Sequence, residues 1–334
     1  MATLFKPIKV GRMELSTHIA CAPLTRRRNG ENRAPADIGV EYYKQRTSFP
    51  GTLVISEGTI PDESMGIWPG GPVLRSPEQV AGFKKIVGGV HANGSFMFLQ
   101  LFALGRVQNE AILKELDPNY DVVSPSPIAL EGKQEPRAMS KQEIQDNITH
   151  FVRASKQFVE ECGGDGVEIH GANGYLLDQF LQTMSNKRTD EYGGSVENRA
   201  RFLLETIAAV SAAIGEDRVS VRLSPFSPFQ GMKMPKADLE ETFSYVAQEL
   251  KTRHPRLAFL HVVNARIDGT IDYQGGEQES VDFLREIWSP RPLFIAGGFG
   301  AANGCDLVEK HNNVVLVYGR YFIRYKGFLD NYEG

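Results

Sequence analysis

The chain has 334 residues, 41% of them hydrophobic and 23% charged, and 37 basic residues against 41 acidic ones leave a formal net charge of −4. This composition excludes a disordered chain, and the absence of any long run of one sign excludes a simple electrostatic nucleic-acid binder or a polybasic membrane anchor. Cys21, Cys162 and Cys305 stand at no paired spacing, so neither a disulfide framework nor a cysteine zinc site is indicated.

The opening MATLFKPIKVGRMEL lacks the apolar core of a signal peptide, and no stretch approaches the roughly 18 apolar residues of a spanning helix. The expectation is a cytoplasmic globular protein. Residues 4–16 read as a small hairpin turning at Gly11, suited to plugging the bottom of a barrel. Eight short apolar or β-branched runs follow. They are residues 19–25 (IACAPLT), 52–59 (TLVISEGT), 95–102 (SFMFLQLF), 166–171 (GVEIHG), 218–224 (RVSVRLS), 257–263 (LAFLHVV), 292–298 (PLFIAGG) and 313–320 (NVVLVYGR). Helical patterns lie between them. Ser76-Pro77-Glu78-Gln79 supplies an N-cap with proline at N1, and Ser140-Lys141-Gln142-Glu143 is a capping box.

Strands alternating with helices imply parallel pairing, because a parallel return needs a crossover. Eight such units predict an α/β fold of the (β/α)8 TIM-barrel class, carried by residues 1–334 as a single domain. An open doubly wound sheet is the alternative. The connection over residues 103–138, after strand three, is long enough to be a functional lid or to hold structure of its own.

Side chains alternate along a strand. Val219, Val221 and Leu223 share the face that meets the helices, which turns Arg222 into the barrel; Glu168 and His170 turn inward on strand four, and Gln100 on strand three. A buried unpaired guanidinium is costly, so Arg222 needs an anionic or strongly polar partner. An internal pair with Glu168 would satisfy it equally well, and His170 alone would read as a core histidine. What shifts the balance is that Thr25, Gln100, His170 and Arg222 all fall at strand C-terminal ends, where barrel active sites form. Gly297 and Gly298 end strand seven, and Gly319 with Arg320 ends strand eight. Glycines admit an anion close to backbone amides and arginine clamps it, so this pair of ends predicts a phosphorylated ligand. No metal-ligand spacing, strand-end lysine, nucleophile elbow or Walker loop is present.

The run His170-Gly171-Ala172-Asn173-Gly174-Tyr175-Leu176-Leu177-Asp178-Gln179-Phe180-Leu181 continues into Asn186-Lys187-Arg188-Thr189-Asp190-Glu191-Tyr192-Gly193-Gly194-Ser195 and Asn198-Arg199. With Ala22-Pro23-Leu24-Thr25-Arg26, Ser56-Glu57-Gly58-Thr59, Val221-Arg222-Leu223-Ser224-Pro225 and Tyr318-Gly319-Arg320, it closely resembles the old yellow enzyme family, fungal type. That resemblance implies a TIM barrel holding FMN, reducing the C=C bond of an enone or enal with NAD(P)H, NADPH being the implied donor. A place in fungal secondary metabolism goes with it.

It also implies residue roles. Thr25, Gly58 and Gln100 would contact the polar edge of the flavin, Arg222 its N1/O2 side, and Gly297, Gly298, Gly319 and Arg320 its phosphate. His170 and Asn173 would bind the substrate carbonyl, and Tyr175 would donate the proton. Phe102 stands where the family usually has tryptophan, which is expected to alter the substrate pocket. After Arg320 only YFIRYKGFLDNYEG remains, where relatives usually continue through several dozen residues; this departure bears on flavin retention, barrel closure and substrate closure. A homodimer is compatible with the resemblance. Two competing readings are a flavin-dependent isomerase or cyclase, and a flavin-deficient barrel acting as a binding protein; intact His170, Asn173, Tyr175 and Arg222 speak against the second.

Overall fold

The computed structural model describes residues 3–265, 267–268, 271–272, 279–324 and 329. Eight parallel strands close into a barrel in chain order: β1 (Ile19–Cys21), β2 (Leu53–Ile55), β3 (Phe96–Leu101), β4 (Gly166–Gly171), β5 (Val219–Leu223), β6 (Phe259–Val263), β7 (Leu293–Ala296) and β8 (Val314–Tyr318). Closure is the pairing of β8 with β1, with Leu316 opposite Ile19. Most of these strands are shorter than the runs read from sequence. The trimmed residues, among them Thr25, Gly58, Gly297 and Gly298, belong to the turns at the barrel mouth. An open doubly wound sheet is ruled out by the β8–β1 pairing.

The helices form where their caps dictate. Before α1 (Asp37–Arg46) no side chain caps the first turn. In α2 (Pro77–His91) the Ser76 hydroxyl accepts from the Gln79 amide while Gln79 Oε1 accepts from the Ser76 amide. Residues 103–138 carry structure of their own: helix α3 (Glu110–Leu116), capped by Asn109, and a two-residue parallel ladder joining Val123–Ser124 to Arg137–Ala138. The capping box of α4 (Lys141–Lys156) uses Ser140 and Glu143 as expected. Helices α5 (Leu176–Leu181), α6 (Val196–Ile214), α7 (Lys236–Arg253), α8 (Asp282–Trp288), α9 (Ala301–Lys310) and α10 (Arg320–Arg324) complete the ring. Among the described residues no helix is long and apolar enough to cross a membrane.

Two apolar layers hold the barrel. Val219, Val221, Leu223, Val167, Ile169, Leu260 and Val262 meet the helices, as strand alternation requires. Leu53, Phe98, Phe259, Phe294 and Val315 fill the interior, and the hairpin strands Ile8–Val10 and Met13–Leu15 bring Val10, Met13 and Leu15 into the same cluster. The hairpin therefore plugs the bottom. Its turn needs glycine: Gly11 has φ +54°, and an added Cβ would lie 2.2 Å from the Asp217 carbonyl oxygen.

Candidate active site

Pairing across β3, β4, β5 and β6 brings the inward polar residues to one end of the barrel. Gln100 stands opposite Glu168, and His170, Arg222 and His261 are successive neighbours across β4, β5 and β6. Glu168 is fully buried and accepts two bonds of 2.7 Å, one from Gln100 Nε2 and one from His261 Nδ1. Gln100 thus turns the nitrogen of its amide, and His261 its Nδ1, toward Glu168. Burial holds the His261 pKa below the ordinary value although Glu168 opposes it. His261 Nε2 is buried without a partner.

Arg222 does lie inside, but it does not form the internal ion pair that strand alternation allowed. Glu168 is engaged by Gln100 and His261 instead, and among the described residues no carboxylate comes within 4.0 Å of Arg222. Its Nε is buried without a hydrogen bond. Burial lowers its pKa, opposed by the nearby charge of Glu168. His170 is 3% exposed, and its Nδ1 also lacks a partner. Burial, reinforced by Arg222 and His261, pushes its pKa well below the ordinary value, so the ring is neutral. A neutral imidazole keeps one N–H to donate.

The turn after β4 presents the next two groups. Asn173 (φ +57°) and Gly174 (φ +73°) are both left-handed, and they reverse the chain so that α5 starts directly after Tyr175. The turn is tied on several sides. Asn173 N donates to Ser224 Oγ at 2.7 Å, Gln230 Nε2 donates to the Asn173 carbonyl at 2.9 Å, and Gly174 N donates to Asp178 at 2.8 Å. Tyr175 is thereby set among His170, Phe102 and Trp68, with ring centroids 5.3, 5.1 and 6.1 Å away. Burial raises its pKa, while the Gln230 amide, Arg222 and Arg27 pull the other way. Phe102 also packs against Trp68 at 5.3 Å, and a Cβ added to Gly58 would lie 2.9 Å from the Phe102 ring. The position that differs from the family pattern thus forms part of the aromatic wall.

The remaining predicted residues sit at the same end. Thr25 is exposed in the loop after β1. The Glu57 carboxylate accepts from the Arg26 and Arg27 amides at 2.8 and 3.0 Å, which ties that loop to β2 next to Gly58. Gly297 (φ +116°) and Gly298 (φ +72°) end β7, Gly300 caps α9, and Gly319-Arg320 joins β8 to α10. Because β7 and β8 are neighbours, the two glycine ends are adjacent. Of the features on which the short chain end bears, barrel closure is kept, because β8 pairs with β1; residues 325–328 and 330–334 lie outside the described residues.

His261, Trp68 and Gln230 are contributions that the sequence reading missed. Alternation along FLHVV would have turned His261 inward beside Arg222. Trp68 sits in an irregular loop and Gln230 in a short 3-10 turn (Phe229–Gly231), and no periodic signal marks either. Among the described residues no group of three or more His, Cys, Asp or Glu side chains could hold a metal ion.

A flavin mononucleotide fits this donor set. Buried Arg222 Nε, His170 Nδ1 and His261 Nε2 have no partner within the protein, and buried polar atoms left unpaired are costly. The positive-φ glycine ends on adjacent strands allow close backbone approach to a phosphate.

Residues 3–331 match the NADH:flavin oxidoreductase / NADH oxidase family. The NADP-dependent oxidoreductase lnbE of Aspergillus flavus is 41% identical over 334 aligned positions, spanning 97% of this chain and 87% of that protein. Chanoclavine-I aldehyde reductase fgaOx3 of Penicillium roqueforti is 41% identical, with 97% and 87% covered. The crystal structure of Old Yellow Enzyme from Pichia sp. superposes with a TM-score of 0.86 at 37% identity, over 96% of this chain and 83% of that one.

Proposed function

The chain belongs to the NADH:flavin oxidoreductase / NADH oxidase family, and we propose that it reduces the carbon–carbon double bond of α,β-unsaturated aldehydes or ketones, using FMN and NADPH. The observation that carries this reading is the wall formed by neutral His170 and protonated Tyr175, 5.3 Å apart, at the same end of the barrel as the unpartnered Arg222. When bound, FMN supplies hydride chemistry at that wall.

The protein residues divide the rest of the work. Gln100, Thr25 and Gly58 would contact the flavin's polar edge, and Arg222 would balance negative charge on its N1/O2 side. Gly297, Gly298, Gly319 and Arg320 would hold the phosphate. His170 and Asn173 donate to the substrate carbonyl oxygen. As hydride reaches the β-carbon, charge develops on that oxygen, and two preorganised donors stabilise it there, each worth about 2.7–4 kcal/mol. Neutrality of His170 matters, because its N–H donates without proton loss. Tyr175 delivers the proton to the α-carbon. Its raised pKa keeps the phenol protonated through neutral pH. Phe102 and Trp68 restrict water around the reacting carbons.

Tyr175→Phe tests this assignment. Phenylalanine keeps the ring contacts and removes the transferable proton. Expected are unchanged FMN binding, unchanged flavin reduction by NADPH, and enone reduction slowed by about 10²–10⁴-fold in rapid-mixing measurements. Parental turnover with unchanged solvent-deuterium incorporation at the α-carbon would remove Tyr175 as the acid. Fast hydrogen exchange or double-bond migration without net reduction would favour the isomerase reading.

A further inference from the structure

Arg27 has no part in the roles assigned above, yet the fold holds it in a costly position. Its backbone is left-handed, with φ +54°, a conformation that non-glycine residues adopt only when the surroundings hold them there. Here they do. The Arg26 and Arg27 amides both donate to Glu57 Oε2, and Asn29 Nδ2 reaches Glu57 Oε1 at 3.3 Å and the Gly70 carbonyl at 2.8 Å. Gly70 is itself left-handed, and a Cβ there would lie 2.4 Å from the Arg27 carbonyl oxygen. The loop after β2 can come this close only with glycine at that point.

The side chain is aimed as well. Arg27 Nε donates to the Pro69 carbonyl at 3.0 Å, and the guanidinium lies over the Trp68 ring, 5.5 Å from its centroid. Trp68 meets Tyr175 at nearly a right angle with centroids 6.1 Å apart and packs on Phe102. One indole therefore contacts both the cation and the proposed acid. The charge of Arg27 is felt at the Tyr175 hydroxyl. Among the described residues no carboxylate lies within 4.0 Å of Arg27, and its terminal nitrogens make no hydrogen bond there. Its neighbour Arg26 points elsewhere, lying over Tyr42 at 4.8 Å.

We propose that Arg27 is an anion-recognition residue at the mouth of the substrate pocket, taking a carboxylate or phosphate oxygen of the molecule whose reacting carbon lies beside Tyr175. A planar fork with one nitrogen pinned and two presented suits such an oxygen pair. The proposal rests on the reading that Tyr175 marks the reacting carbon. Two molecules could bring the anion: an α,β-unsaturated substrate bearing a carboxylate, or the nicotinamide donor through its extra phosphate.

The test uses the FMN-loaded protein and two variants, Arg27→Asn, which tolerates left-handed backbone, and Arg27→Lys, which keeps the charge. Flavin reduction is measured with NADPH and with NADH. Flavin reoxidation is measured with a carboxylate-bearing enone and with its methyl ester. Arg27→Asn should weaken apparent binding of the member bearing the extra anionic group (NADPH, or the enoate) in at least one pair by about 10- to 100-fold, leave the member lacking it (NADH, or the methyl ester) unchanged, and be partly rescued by Arg27→Lys. A loss confined to NADPH assigns the phosphate, and one confined to the enoate assigns the substrate carboxylate. Equal effects on the members with and without the extra anionic group in both pairs, or no effect on any, would overturn the proposal. These ratios are read within each half-reaction, so they stay informative even if Tyr175→Phe shows that another group is the acid.

Discussion

The two ends of this barrel are built by opposite rules. At the bottom, the hairpin residues Val10, Met13 and Leu15 close on Leu53, Phe98, Phe259 and Phe294, all apolar and essentially unexposed. At the mouth, Arg222 Nε, His170 Nδ1, His261 Nε2 and Trp68 Nε1 are buried without hydrogen-bond partners. Both ends use the same strands, and alternation along each strand supplies both sets. The bottom is complete within the chain and contributes to stability; the mouth leaves buried polar atoms unpaired, the set that the proposed ligands would satisfy. This is the division expected of a barrel whose chemistry sits at strand C-termini and whose stability sits at the other end.

The largest effect expected from breaking this contrast is at the bottom. Phe259 stacks on Phe294 with centroids 3.9 Å apart. Phe259→Ala should lower folding stability by about 3–5 kcal/mol, read as a lower urea midpoint with unchanged slope. The folded fraction should still bind FMN with parental affinity. A large loss of affinity per folded molecule would show that the two ends are not separable.

The mouth should respond to pH where the bottom does not. Asp178, fully buried, accepts from Gly174 N and Gln182 Nε2, and burial pushes its pKa up to about 7. Its pKa in the unfolded chain is near 3.8. Between these values the native state binds the proton that the unfolded state has released, so stability falls as pH rises from about 4 to 7. Asp178→Asn removes this loss. Its amide oxygen can accept from Gly174 N, and its nitrogen can donate to Gln182 Oε1 once the Gln182 amide, whose Nε2 now faces this carboxyl, turns over. The variant should gain on the parent with rising pH, by at most about 4 kcal/mol between pH 4 and 8. Parallel unfolding curves at both pH values would show that Asp178 does not titrate in this window.

The smallest effect is expected at the surface of the plug. Arg12 meets Asp217 through two bonds of 2.7 and 3.1 Å, with both side chains partly exposed. Arg12→Ala should cost about 0.2–1 kcal/mol, fading in high salt, with neither flavin half-reaction altered. A change in either rate would mean that the plug couples to the mouth.

Much of this was open to a linear reading. Period-two alternation turns Glu168, His170, Gln100 and Arg222 inward whatever their partners, because a strand has only two faces. The serine caps at Ser76 and Ser140 act within four residues of themselves, and they formed as read. Signals of this kind are local, so the order of residues suffices to settle them. The crossovers needed by parallel strands and the count of eight units carried the barrel.

What the order of residues could not decide was pairing at a distance. Glu168 might have met Arg222 two strand positions away on the neighbouring strand, yet it binds His261, 93 residues on, because the stagger of a closed barrel sets which inward side chains share a level. The aromatic wall is the same kind of fact. Trp68, Phe102 and Tyr175 come from three separate connections, and Arg27 and Gln230 reach them through left-handed backbone that only surrounding contacts can hold. The sequence by itself determined which residues face inward and where helices begin, since both follow from local stereochemistry. Tertiary structure alone decided which of those residues touch, and so which buried polar atoms were left for a ligand.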